Sequence, residues 1–212
     1  MRFSFQKFLF SGLVISAFLT SCTENKLPIL GERSTEVKIV DGKQVVDTVY
    51  QTVPPFQFID QDGNVVTNET FLGKVYVADF VFLSCETICP KLNKQMKRMH
   101  DLFLNNPDVY FLSHTVDPEH DTLPRIKAFM VSNQITTSKW HFVRSTEDST
   151  YDIATHGYFS TAYRDSAGEY VHSGGMLLVD RKQRIRGVYD GTQQFTVDQL
   201  IKDIDRLVKE KE

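Results

Sequence analysis

The run Lys74-Val-Tyr-Val-Ala-Asp-Phe-Val-Phe-Leu-Ser-Cys85-Glu-Thr-Ile-Cys89-Pro90 decides how this chain folds. Its first ten residues are almost continuously β-branched or aromatic, the composition of a central strand covered on both faces. Pro90 then suits the first turn of a helix, where its missing N–H costs nothing. Leu92, Met96, Met99 and Phe103 follow at spacings of four, three and four, which places one apolar stripe along that helix. Asn105-Asn106-Pro107 ends it. A buried strand running directly into a helix is half of a βαβ crossover, and the two cysteines lie in the turn between them.

Working outward toward the C-terminus, Val109 to Val116 reads as a second buried strand and Leu123 to Val131 as a second helix. Trp140 to Val143 is a short strand, and Thr146 to His156 a helix ended by Gly157. Gly175 to Asp180 and Arg184 to Tyr189 form a hairpin across Arg181-Lys182-Gln183. The last helix, Thr196 to Lys211, carries Val197, Leu200, Ile201, Ile204, Leu207 and Val208 on one face. Toward the N-terminus, Asp62-Gly63-Asn64 joins two short strands, Phe56 to Asp60 and Val65 to Thr67. This order predicts an α/β domain, a mixed sheet flanked by helices, over residues 50–212. Residues 22–49 are polar and read as a tether, with a short β-hairpin extension around Asp41-Gly42.

The first residues set the compartment. Arg2 and Lys7 precede an apolar run from Phe8 to Leu19 with no acidic residue, the layout of a secretory signal over residues 1–21. The run is too short to span a bilayer comfortably, which takes roughly 20 apolar residues. Leu19-Thr20-Ser21-Cys22 resembles the bacterial lipobox, which implies an acylated Cys22 and a domain tethered outside the cytoplasm, in the cell envelope facing the periplasm. Removing residues 1–21 takes away two cations and no acid, moving the formal charge from −3 to −5. A mildly acidic chain with scattered charge does not suggest a nucleic-acid partner.

With Cys22 acylated, only Cys85 and Cys89 remain as thiols, and two cysteines four apart are a site rather than a disulfide framework. They lie beyond the carboxyl end of a strand, where sites gather in open α/β sheets. The helix N-terminus there favours thiolate over thiol. A thiolate serves both disulfide exchange and soft-metal binding, so placement alone allows either. Two thiolates leave a metal ion under-coordinated, and a histidine is the natural third ligand. Among the six histidines, His100, His114, His120, His141, His156 and His172, the first is expected to face away from the Met99/Phe103 stripe. His120 sits in an acidic turn, while His141 and His156 stand beside element ends without an obvious partner. His172 differs, because Val171-His172-Ser173-Gly174-Gly175 precedes a strand that a thioredoxin-like layout sets beside the thiol turn. Two thiolates and one imidazole suit Cu(I), Cu(II) or zinc. Met176 is a conceivable weak fourth ligand, with a core role favoured.

Phe82-Leu-Ser-Cys85-Glu-Thr-Ile-Cys89-Pro90, then Thr115-Val-Asp-Pro-Glu-His-Asp-Thr122, then His172, resemble the Sco/SenC family of copper proteins, from about Pro54 to the C-terminus and including Trp140. The resemblance implies a thioredoxin-like fold and copper held by Cys85, Cys89 and His172. It also implies a role in maturing the binuclear copper site of a respiratory cytochrome c oxidase, whose copper-site subunit is then the partner. The rival reading is a membrane-anchored thiol-disulfide oxidoreductase in which Cys85 and Cys89 are a redox pair, served by a thioredoxin-like reductant. A peroxide reductase fits less well, since no Pro-x-x-x-Thr-x-x-Cys pattern surrounds Cys85. Two positions depart from the family. Glu86-Thr87 stands where Pro-Asp is frequent, and Val171 precedes the histidine where Asp is common, which leaves open how His172 is oriented. Glu86 reads as a solvated loop residue, and Asp121-Thr122 as a helix cap.

Overall fold

The computed structural model describes residues 26–135 and 138–210; the signal segment 1–21 and Cys22 lie outside them. In chain order the strands and helices are β1 (Arg33–Val40), β2 (Lys43–Tyr50), β3 (Gln57–Asp60), β4 (Val65–Thr67), β5 (Val75–Val81), α1 (Cys89–Leu102), β6 (Val109–Thr115) and α2 (Leu123–Ser132). There follow β7 (Trp140–Arg144), α3 (Glu147–Asp152), β8 (Ala162–Arg164), β9 (Tyr170–His172), β10 (Gly175–Val179), β11 (Ile185–Asp190) and α4 (Gln194–Lys209). A mixed seven-stranded sheet runs β11-β10-β5-β6-β7-β3-β4. Its centre, β5-β6-β7, is parallel, and β10 and β3 join it antiparallel. None of the described helices is long and apolar enough to cross a membrane.

Every residue of β5 is buried, because apolar layers cover both sheet faces. On one side Val75, Val77 and Val81 pack against Leu92, Met96 and Met99 of α1 and Leu200 and Ile204 of α4. On the other, Tyr76, Ala78 and Phe80 meet Phe71, Ile153 and Tyr158. Pro90 does occupy the first turn of α1. Met176 is fully buried in the first layer, a core residue. The helix expected over Thr146 to His156 is regular only to Asp152; a π-turn, Ile153–Gly157, completes it.

One expectation is met at greater length and one needs correction. The hairpin expected around Asp41-Gly42 is present and long: β1 and β2 pair over eight residues each, exposed on both faces. Just before it, the chain is pinned to the domain, since Leu27 is buried, Leu30 N–H donates to the Ile185 carbonyl and Arg186 donates to the carbonyls of Leu27 and Pro28. His100 does not face outward; it is buried against the rings of Phe111 and Trp140. Its neighbour Met99 is also buried, so α1 buries more than one stripe.

The topology gives the sheet two unlike poles. β5 ends at the cysteine turn, and antiparallel β10 begins there and ends beside the start of β5, at the turn into β11. The pinned segment 27–30 lies at that second pole, through its bond to Ile185.

Candidate metal centre

Cys85 stands in the turn after β5, Cys89 opens α1, and His172 ends the short β9. One donor atom from each lies within 4.8 Å of the other two, and no other such group occurs among the described residues. Ligand bonds of about 2.0–2.3 Å allow donors around one ion to stand roughly 4.5 Å apart at most, so small side-chain adjustments suffice to close the three on an ion. Cys89 Sγ is 3.3 Å from His172 Nε2. His172 Nδ1 lies 3.1 Å from the Ser173 carbonyl, which can only accept. Nδ1 therefore carries the proton and Nε2 presents its lone pair to the thiols. The orienting partner absent at Val171 is thus supplied by the next residue's backbone. Phe82 packs edge-on against the imidazole, with ring centroids 5.6 Å apart.

The two thiols differ in acidity. Burial raises the pKa of half-buried Cys85, but the Thr87 hydroxyl and the N–H groups of Cys89 and Thr87 outweigh it and bring the pKa down to about 7. Cys89 is buried, and desolvation pushes its pKa well above the ordinary thiol range, with Cys85 and Asp79 adding to the effect. Burial lowers the pKa of His172, which keeps the ring neutral and able to ligate. A cleft of about 370 Å³ opens beside the thiols, floored by Phe82, Leu83, Phe129 and Ile135 and edged by Lys94 and Lys97.

The remaining candidates sit elsewhere. His120 pairs with Asp117, His141 with Asp60 and His156 with Asp152, so the last two do have partners. His114 is buried among Phe58, Phe80 and Tyr158 with neither ring nitrogen hydrogen-bonded, and burial lowers its pKa to about 3. Glu86 is exposed.

Asp121 corrects another expectation. Thr122 holds the cap position of α2 but makes no side-chain cap bond, and Asp121 is fully buried beneath the thiol turn. Its carboxylate accepts the Leu83 N–H at 3.1 Å and the Thr115 hydroxyl at 2.6 Å. Arg125, 3.7 Å from Asp121, donates to Ser84 Oγ at 2.9 Å. The Thr115–Thr122 segment therefore clamps the turn that carries Cys85. Asp79 was also missed, although an acid inside an apolar strand run is itself a signal. It is fully buried, accepts the Ser113 hydroxyl at 2.6 Å and leaves its second oxygen unpaired; desolvation, partly offset by Ser113, raises its pKa to about 7.

With this geometry in place, similarity to known proteins is decisive. The family model SCO1/SenC matches residues 46–209. The chain belongs to the Sco/SenC family. A SCO1 protein homolog of Bacillus subtilis is 31% identical over 166 residues, covering 77% of this chain and 86% of that protein. Among solved structures, BsSco, a member of the Sco family of cytochrome c oxidase assembly proteins in which a disulfide switch was identified, superposes with a TM-score of 0.67 at 28% identity, covering 76% of this chain and 95% of that one. Copper-bound ScoI of Arabidopsis thaliana shares the fold at a TM-score of 0.62 and 22% identity, over 76% of this chain and all of that one. The Sco domain here is therefore a thioredoxin-like mixed sheet flanked by helices, with the β1–β2 ribbon as its N-terminal extension.

Proposed function

We propose that this Sco protein is a lipid-anchored, extracytoplasmic copper carrier that holds one copper ion with Cys85, Cys89 and His172 and delivers it to the binuclear copper site of a cytochrome c oxidase. The observation that carries this reading is the convergence of two thiols and one correctly oriented imidazole within 4.8 Å. Thiolates select soft ions and imidazole suits copper, so the donor set fits Cu(I) and Cu(II). Copper is cargo in this reading. His172 and buried Cys89 retain it, while half-buried Cys85 faces the cleft from which an acceptor can exchange ligands. Anchoring rests on the lipobox-like Leu19-Thr20-Ser21-Cys22.

His172→Ala is expected to weaken Cu(I) binding at least tenfold, the cost of about one lost donor contact, and to leave thiol exchange largely intact. Anaerobic competition against a Cu(I) chelator and exchange rates on the same samples measure both. Unchanged copper affinity would overturn the three-ligand site.

One observation favours a second role as a thiol-disulfide oxidoreductase. An accessible, acidified Cys85 next to a buried, poorly acidic Cys89 is the arrangement of an attacking and a resolving thiol. Turnover of a protein disulfide by a sample without copper affinity would make that role the main one.

A further inference from the structure

The pole opposite the thiols carries two features that copper handling does not use. The first is a basic recess of about 330 Å³ lined by Lys26, Arg33, Lys182, Arg184 and Arg186, with Glu210 the single acid among the described residues that line it. Arg184 and Arg186 are held by Asp180, and Arg186 also by Glu210, so these two shape the recess. Lys26 and Arg33 are exposed, and the guanidinium groups of Arg33 and Arg184 stand over the Tyr50 ring at 5.5 and 5.8 Å. This concentration of cations occurs on a chain whose overall charge is negative.

The second feature is the β1–β2 ribbon. Residues directly opposite one another in an antiparallel pair share a face, and successive pairs alternate. One face therefore carries Thr35 with Thr48, Val37 with Val46, and Ile39 with Gln44, all uncharged. The other carries Glu36 with Asp47, Lys38 with Val45, and Val40 with Lys43. On the uncharged face Val37, Ile39 and Val46 are 59, 76 and 66% exposed. A lone two-stranded ribbon is marginally stable in water, so an apolar face this open calls for a cover. Arg33 and Tyr50 form the base pair of that same face and also line the recess, which makes the two features continuous.

We infer that this pole is a membrane-docking surface, with the recess taking the anionic headgroup of a phospholipid and the uncharged ribbon face lying in the interfacial layer. Two arguments choose the membrane as occupant. Cys22 is four residues before Lys26, a reach of about 14 Å at most, so an acyl chain on Cys22 holds the recess against the bilayer. The charges match an anionic leaflet, where each cation near the surface contributes about fivefold to binding. The inference rests on the anchored reading of Cys22 for its biological setting, while the surface itself is testable without the acyl group.

The test uses the chain from residue 22 with Cys22→Ser, sedimented with phosphatidylcholine vesicles made with and without phosphatidylglycerol. Binding is expected only with phosphatidylglycerol and to weaken with salt. Lys26→Ala with Arg33→Ala is expected to lower it roughly twenty-five-fold, and Val37→Ser with Ile39→Ser and Val46→Ser separately by about tenfold or more. Copper affinity and far-ultraviolet circular dichroism, which report the far pole and the fold, should not change. Binding indifferent to lipid charge, or to both sets of substitutions, overturns the proposal. So does concentration-dependent dimerisation in light scattering that the ribbon substitutions abolish, since a second copy would then be the cover. Whether Cys22 is acylated is read independently, by mass spectrometry of the native membrane fraction, so a failure of anchoring is distinguishable from a failure of the surface.

Discussion

Cys85 and Cys89 have identical side chains four positions apart, and their surroundings give them opposite acidities. Cys85, brought to about 7, is largely thiolate just above neutrality, whereas buried Cys89 keeps its proton. Copper binding as a pair of thiolates must therefore expel the Cys89 proton above pH 7 and both thiol protons below it. Affinity consequently falls as pH falls, by about tenfold per pH unit above neutrality and about a hundredfold below it. Around neutrality His172 adds no proton to this balance, because burial lowers its pKa. Cu(I) competition across pH checks the change of slope, and iodoacetamide should label Cys85 first with a midpoint near pH 7. A single slope, or equal labelling of both thiols, would contradict the assignment. The cysteine pair and His172 were legible in the sequence because spacing and neighbouring glycines distinguish them. The orienting Ser173 carbonyl was not, since backbone groups leave no mark in composition. Nor was the burial of His100, because helix periodicity shows where an apolar stripe runs and not how wide its cover is.

At the scale of elements, the site is a turn held from below. Asp121 bonds the Leu83 N–H two residues before Cys85, and Arg125 reaches Ser84. Its burial raises the Asp121 pKa, partly offset by the Thr115 hydroxyl and the Leu83 N–H. Asp121→Asn keeps the size of the side chain but removes the charge and an acceptor, so the turn should loosen while the fold persists. Copper affinity is expected to fall about 10- to 100-fold, the usual effect of losing a group that supports a ligand, and the alkylation midpoint of Cys85 should move up. Competition titration and labelling rates check both. In the sequence, Asp121-Thr122 before an apolar segment has the pattern of a helix cap; only tertiary structure shows the carboxylate turned inward. β5 and α1 were legible because each has a strong period. β8 and β9 escaped because strands of three residues carry no measurable alternation, although β9 ends in His172, the proposed third ligand.

Over the whole molecule, Cys85 and Cys89 lie 83 or more positions from His172, and an ion bound to all three joins the β5–α1 turn to the β9–β10 connection. Binding to the folded state alone stabilises it by about 4 kcal/mol at a thousandfold excess over Kd, which corresponds to roughly 10 °C in a domain of this size. Differential scanning calorimetry of the reduced protein should show that rise with copper and its loss with chelator. Cys85→Ser with Cys89→Ser should abolish it. The long ribbon was only partly legible, because apolar residues occur on both of its faces and only the Asp41-Gly42 turn marks it.

The base of that ribbon and the thiols lie toward opposite ends of β5, a strand about 20 Å long at roughly 3.3 Å per residue. A domain resting on its ribbon pole holds its thiols at a set height and turned outward. Its search for an acceptor then takes place in two dimensions, among proteins whose receiving site stands at the same level above the lipid. Bulk thiols meet it only by ordinary collision, while a neighbour at the right altitude meets it at the effective concentration of a shared surface.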